Sequence, residues 1–401
     1  MTPPLKPVGR LDPPPPWMSD RSVRRLLGAL AKGGIAARFV GGCVRNTVLG
    51  RPVDDIDIAV DKPPETVMRT LEAADLKVVP TGLRHGTVTA IVEGRPFELT
   101  TLRRDLETDG RRAVVAFTDD WGADAERRDF TFNALYADPD GTIWDPFDGR
   151  ADLLAGRVRF IGDPDQRIAE DRLRVLRFFR FHAWFGKPPL DSAGFDACRR
   201  NAGSLSSLSA ERVTKELLRL LAAPAPADAL EAMAEAGALD HWLPEYAGTA
   251  RLKALIARER QDTPDPLRRL AAIVSPPATA VAKRLKLSTQ QSLRLHLMLE
   301  PAAPGDLLNR RAALYRLGTS LFIDRVLLEG PDDWQAALAL ARTWTPPELP
   351  INGADALALG VKPGPQLGAL LDAVERWWIA GDFSADRAAC LGELKRLART
   401  A

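Results

Sequence analysis

Cysteine is scarce: the 401 residues hold three, Cys43, Cys198 and Cys390, scattered, odd in number and without metal-ligand spacing. That argues against a disulfide-stapled scaffold and against a zinc site, and it fits a reducing compartment. A strong charge of either sign is also missing. The formal net charge is +2, so bulk basicity announces no nucleic-acid partner, and any such binding must come from local basic patches. No apolar run approaches the roughly 20 residues of a membrane helix. The Pro-rich start, Pro3 to Pro16, reads as a flexible or extended tail rather than a signal peptide. The expectation is a soluble, cytoplasmic protein with no membrane association. Apolar residues make up 45% of the chain, enough to build the cores of two or three domains at this length.

What is there divides by pattern. Residues from about 20 to 150 mix helices and strands. Arg21 to Lys32 is amphipathic with Val23, Leu26, Leu27 and Leu30 on one side. Phe39-Val40, Val88 to Val92 and Pro96 to Leu102 read as strands, the last two joined by a turn at Glu93-Gly94-Arg95. Residues 151 to 401 are helical in period, as in Glu211 to Leu221, Ala227 to Ala236, Pro266 to Val274 and Asp332 to Thr343, with almost no strand signal.

Three clusters carry chemistry. The first is Arg38 to Val60, RFVGGCVRNTVLGRPVDDIDIAV. Strand side chains alternate, so Asp55 and Asp57 project together while Ile56, Ile58 and Val60 face the core. Two carboxylates on one edge can hold a divalent cation through oxygen. Gly41 and Gly42 allow close backbone approach to a phosphate at the start of the following helix. Glu98 shares a face with Thr100, opposite Phe97 and Leu99, and is either a third carboxylate beside the aspartates or part of a solvated strand face. The second cluster is Arg127 to Ala134, RRDFTFNA. Its arginines offer planar donors to phosphate or ribose oxygens, and Asp129 and Asn133 share a face if the stretch is helical. The third is Glu170 to Arg177, EDRLRVLR. On one helix Asp171 and Arg174 are neighbours at i, i+3. A carboxylate accepts from an amino group and a guanidinium donates to ring nitrogens and carbonyls, the pair needed to read a base edge. An ordinary intrahelical salt bridge is the alternative.

Taken together, GGCVRN...DIDIAV, RRDFTFNAL and EDRLRVLRFFRF resemble the class II tRNA nucleotidyltransferase and poly(A) polymerase family, within the polymerase-beta-like nucleotidyltransferase superfamily. PTGLRHGTVTAIVEGRPFELTTLRRD (Pro80 to Asp105) and WDPFDGRADL (Trp144 to Leu153) look like family segments too, and Ile351 to Leu371 is a fainter match to its tail. The resemblance is specific over roughly residues 38 to 182 and thin beyond. It implies an α+β architecture: a polymerase-beta-like head of mixed sheet and helices, then an elongated all-helical neck, body and tail. The boundaries expected are 1–19 for the Pro-rich tail, 20–150 for the head, 151–205 for a base-recognising neck, 206–275 for the body and 276–401 for a tRNA-binding tail.

The resemblance also implies template-independent addition of CCA to the tRNA 3′ end from CTP and ATP, by two-metal in-line displacement with release of pyrophosphate. Residue by residue, Asp55 and Asp57 would hold Mg²⁺ with Glu98 near them. Gly41, Gly42 and Arg45 would cradle the triphosphate. Arg128 and Asp129, with Asn133, would meet the ribose or phosphates. Asp171 and Arg174 would read the base, supported by Arg177. Zinc is not expected. One departure stands out: Asn46 occupies a position where the family commonly has Asp. The polar stretch Arg103 to Asp124 is the candidate for a mobile loop that permits the change from C to A. Poly(A) polymerase and a partial, CC- or A-adding enzyme remain rivals, and a catalytically inert RNA-binding protein is disfavoured by the intact aspartates. None of His85, His182, His241 and His296 is followed by Asp, which argues against a fused His-Asp phosphohydrolase.

Overall fold

The computed structural model describes residues 5–109, 112–259, 263–300 and 309–399, the side chains of 105–115 excepted. The chain divides into two compact units, Met1–Pro244 with Arg284–Lys286, and Glu245–Lys283 with Leu287–Ala401.

In the first unit, Asp20 caps helix α1 (Arg21–Lys32) by accepting from the Ser22 N–H at 2.9 Å, and Val23, Leu26 and Leu30 turn a buried stripe inward. The strands that follow are short: β1 (Pro7–Arg10), β2 (Ala37–Val40), β3 (Asp57–Val60), β4 (Lys77–Gly82), β5 (Thr87–Val92) and β6 (Arg95–Thr101), then β7 (Arg103–Asp109), β8 (Arg112–Phe117), β9 (Tyr136–Ala137) and β10 (Thr142–Trp144). Eight of them form one sheet in the order β1-β10-β9-β2-β3-β6-β5-β4. Its central strand β3 runs antiparallel to β2 and parallel to β6. Ile58, Ala59 and Val60 are therefore buried on both faces, which leaves only the entry of β3 at the surface. Helices α2 (Gly42–Val48) and α3 (Pro64–Ala73) connect the strands.

Two expectations change here. The Pro-rich start is docked from residue 5 on: β1 pairs with β10, Met18 is buried, and the Trp17 indole donates to Thr47 at 3.1 Å and meets Phe39 edge-on. Proline is tolerated there because β1 is an edge strand. The stretch Arg103 to Asp124, read as a polar loop, is built as an antiparallel ribbon of β7 and β8 followed by helix α4 (Trp121–Glu126). Val114, Val115 and Phe117 are strong strand formers and override the polar composition. The tip of that expected loop, Gly110 and Arg111, lies outside the described residues.

Beyond the sheet come α5 (Gly149–Ala155), α6 (Pro164–Glu170), α7 (Leu173–Phe185), α8 (Ser192–Asn201), α9 (Ala210–Leu221) and α10 (Pro226–Glu235). An aromatic core fastens α7 to the end of the sheet. Phe130 packs on Phe160 (ring centroids 4.7 Å apart) and edge-on to Phe181 (5.3 Å), and Phe160 stacks on Phe178 (5.6 Å). These rings contribute both burial and edge-to-face attraction, and they fix the face of α7 that carries Arg174 and Arg177.

The second unit is helical, with one isolated bridge, Tyr246 to Val274, among the described residues. Its core includes a buried ion network. Arg268 meets Glu259 at 2.8 Å and Asp324 at 3.1 Å, Arg269 meets Glu259 at 2.8 Å, and Arg294 meets Asp324 at 2.7 Å and Asp265 at 2.8 Å. A separate apolar cluster of Ile351, Leu370, Val374, Trp378 and Leu394 closes the C-terminal helices. Among the described residues no helix is long and apolar enough to cross a membrane.

Candidate active site

Strand β2 ends at Val40, and the next residue, Gly41, turns the chain with φ +68° into α2. That left-handed backbone is where glycine has no steric cost. The turn brings Gly41, Gly42 and Arg45 to the wall of an open cleft of about 430 Å³ that Asp57, Arg128, Asp129, Asn133, Asp171, Arg174 and Arg177 also line. Ten of the twelve residues singled out in the sequence thus surround one space. The other two, Asp55 and Glu98, do not line it, but both lie beside Asp57. Glu98 sits opposite Asp57 on the neighbouring parallel strand, and Asp55 stands in the extended lead just before β3, so the strand carries only the second aspartate.

The Asp57 carboxyl is pushed upward by its partial burial and then by the charges of Glu98 and Asp55, against the pull of Arg128 and Arg45. Among the described residues no group of three or more His, Cys, Asp or Glu side chains is arranged to hold a metal by itself. The donors present are hard carboxylate oxygens crowded enough to repel one another. That suits Mg²⁺, which binds through one or two carboxylates and completes its shell with substrate phosphate and water.

The second cluster is a turn, not a continuous helix: α4 ends at Glu126 and Thr131–Asn133 is a single 3₁₀ turn. The pairing expected of a helix face forms nonetheless, since the Asn133 amide donates to Asp129 at 2.8 Å. Asn133 accepts from Arg45 at 2.7 Å, and Asp129 accepts from Arg177 at 2.7 Å. These four side chains form one line of charge-assisted bonds joining α2, the turn and α7. Burial alone would raise the Asp129 carboxyl, but Arg177 and the Asn133 amide bring it down to about 2. Arg45 lies over the Phe185 ring at 4.4 Å. Burial lowers its guanidinium to about 10, and its Nε is buried without a hydrogen-bond partner. Asn46 accepts from Arg45 at 3.2 Å and donates to the Pro52 carbonyl at 3.2 Å, so it ties α2 to the segment that follows.

The third cluster is corrected in shape. Asp171 is not inside a helix: α6 stops at Glu170, Asp171 is extended (φ −149°), and α7 begins at Leu173. Arg174 pairs with Glu170 at 2.5 Å rather than with Asp171, and donates to the carbonyls of Arg167 (2.8 Å) and Arg127 (3.0 Å). The Asp171 carboxylate accepts from the Leu173 N–H at 3.1 Å and from Arg212 of α9 at 3.0 and 2.8 Å. Both residues line the cleft on either side of the break.

Of the remaining lining residues, Arg127 belongs to the arginine pair of the second cluster, while Leu173, Phe181 and Arg212 escaped the sequence reading. So did Asp124, 1% exposed, which accepts from Arg127 (2.6 Å), Arg128 (2.9 Å) and the Tyr136 hydroxyl (2.7 Å). Burial pushes that carboxyl up, but Arg128, Arg127 and Tyr136 hold it well below the usual range. A signal existed: Asp124 stands three and four residues before the two arginines, the spacing of helical ion pairs.

Comparison with known proteins agrees with this geometry. Residues 37–159 match the poly A polymerase head domain, and residues 190–248 match a probable RNA and SrmB-binding site of polymerase A. The mitochondrial CCA tRNA nucleotidyltransferase 1 of Danio rerio is 32% identical over 91% of this chain and 88% of its own length. The chain belongs to the CCA-adding tRNA nucleotidyltransferase family. A CCA-adding enzyme of Levilactobacillus brevis is 31% identical over 91% of this chain and 95% of its own. The crystal structure of the Bacillus stearothermophilus CCA-adding enzyme in complex with CTP superposes with a TM-score of 0.80 at 29% identity, covering 96% of this chain and 98% of that one. Such coverage extends the CCA-adding fold to both units, well beyond the three sequence clusters.

Proposed function

We propose that this chain adds C, C and A to the 3′ end of tRNA without a nucleic-acid template, transferring CMP and AMP from CTP and ATP and releasing pyrophosphate. The observation that carries the reading is the gathering of Arg45, Arg128, Arg174 and Arg177 with Asp57 and Asp171 around one cleft. Fixed guanidinium groups can neutralise a triphosphate and the charge that grows on its leaving group, and they need no rearrangement at the moment of reaction. In this reading Gly41, Gly42 and Arg45 take the triphosphate. Arg128, Asp129 and Asn133 take ribose and phosphate oxygens. Asp171 and Arg174 read the base edge, with Arg177 holding Asp129 in place. Asp55 and Asp57, with Glu98 beside them, would hold Mg²⁺, two ions of which supply charge to the triphosphate and acidify the attacking 3′ hydroxyl in enzymes of this chemistry. The subdivision into head (20–150), neck (151–205), body (206–275) and tail (276–401) is part of the same proposal, with tRNA held mainly through its phosphates and shape.

The test is nucleotide incorporation on a tRNA transcript lacking CCA, with Mg²⁺ and each nucleoside triphosphate singly or in pairs, beside a protein carrying Asp55→Ala and Asp57→Ala. Ordered addition of C, C and A that then stops, abolished in the double variant, is the expected result. Long A tails from ATP alone would make it a poly(A) polymerase. A halt after CC, or addition of A to CC ends only, would make it a partial enzyme.

A further inference from the structure

The two side chains assigned to the base edge are held very differently. Arg174 is locked, its guanidinium spent on Glu170 and two backbone carbonyls. Asp171 sits in the extended break between α6 and α7, its carbonyl accepting from the Arg174 N–H at 2.9 Å. Besides the Leu173 N–H, its side-chain partner among the described residues is Arg212, 41 positions away on α9, whose Nη2 spans both carboxylate oxygens. Arg212 itself lines the cleft. The pair is about one-third exposed, at 35% and 32%, so water screens it and it can yield to a better partner.

We propose that Arg212 is a positioning residue for nucleotide selection: it sets the rotamer of Asp171 and so aims the carboxylate's accepting edge at the incoming base. This rests on the base-reading role proposed above for Asp171. Cytosine and adenine both carry an amino group on the ring carbon where uracil and guanine carry a carbonyl. A carboxylate aimed at that amino group gains a hydrogen bond with the first two and meets a like-charged lone pair with the others. A carboxylate free to rotate loses that contrast. Because a single nitrogen of Arg212 contacts both oxygens, a lysine can do the same work, whereas an uncharged chain of similar length cannot.

The experiment compares Arg212→Met, Arg212→Lys and Asp171→Asn in steady-state incorporation of each of the four nucleotides on tRNA ending before and within CCA. Arg212→Met is expected to raise KM for CTP and ATP by about tenfold, more than it lowers kcat, and to raise relative UTP and GTP incorporation by a similar factor. Arg212→Lys is expected to restore most of both. If Asp171→Asn relaxes selectivity while Arg212→Met does not, the positioning role is overturned and the base-reading role stands. If Asp171→Asn leaves selectivity intact, both fall. If Arg212→Met lowers kcat and thermal stability together with selectivity unchanged, or Arg212→Lys fails to restore selectivity, Arg212 is a structural brace only.

Discussion

Asp124 shows how much one side chain can organise. It is buried, accepts from two arginines and a tyrosine, and takes the Arg103 N–H at 3.3 Å where the β7–β8 ribbon leaves the sheet. Removing one partner of a buried ion pair strands the others, at a cost of about 3–5 kcal/mol. Asp124→Ala should therefore lower unfolding free energy by that order in denaturant titration. It should also weaken nucleotide binding, because Arg127 and Arg128 lose their anchor. Titration offers a second check. His182 is buried on α7, and that burial, opposed by Asp228, lowers its pKa from 6.5. The unfolded chain then takes up the proton first, so stability is full above pH 6.5 and falls as the pH drops below it. Urea midpoints measured from pH 7.5 to 5.5 should decline, and His182→Leu should flatten that slope. Asp129 gives a loss in the same direction at lower pH. With its folded pKa near 2 against 3.8, its contribution is present above pH 3.8 and is lost as the pH falls toward 2, a loss that Asp129→Asn should remove from the acid-unfolding curve.

At the scale of elements, the site depends on a turn wedged between helices. Gly149, the first residue of α5, lies so close to the 3₁₀ turn that a Cβ there would stand 2.2 Å from the Thr131 carbonyl oxygen. Thr131 also donates to Asp152 of α5 at 2.7 Å. Gly149→Ala must push the turn that carries Asp129 and Asn133, because backbone cannot swing aside as a long side chain can. The expected outcome is a loss of about 1–3 kcal/mol of stability together with a raised KM for both CTP and ATP, measured by calorimetry and incorporation kinetics. The aromatic seam under α7 works the same way over a longer reach: Phe178→Ala should cost about 3–5 kcal/mol. Sequence period made α7 and the strands β2, β3, β5 and β6 easy to see, since apolar residues recur at the spacing of helix and sheet. It did not show the break at Asp171, because EDRLRVLR contains neither Gly nor Pro and reads as continuous helix. Contacts from α9, far along the chain, accompany that break.

For the whole molecule, the two units carry different kinds of core. The second unit places Arg268, Arg269 and Arg294 among Glu259, Asp265 and Asp324. Asp324→Asn leaves Arg268 and Arg294 short of an acceptor charge, and a loss of about 3 kcal/mol is expected. Hydrogen exchange should localise it: faster exchange in 245–283 and 287–399, with protection in the first unit retained. Composition and motif order, by themselves, determined that the chain has a mixed head and a helical remainder, and made Asp55, Asp57, the paired arginines and Asp171 the candidates for its chemistry. These features are local, repeating at the periods of strand and helix or standing a few residues apart. Spacing made Asp124 with the arginines and Glu170 with Arg174 possible pairs, and the tertiary structure decided that they form and that Arg212 reaches Asp171. Long-range partners are chosen by which surfaces meet when the elements pack. For Arg212 and Asp171 the meeting spans 41 residues of chain, a separation at which sequence spacing carries no information about contact.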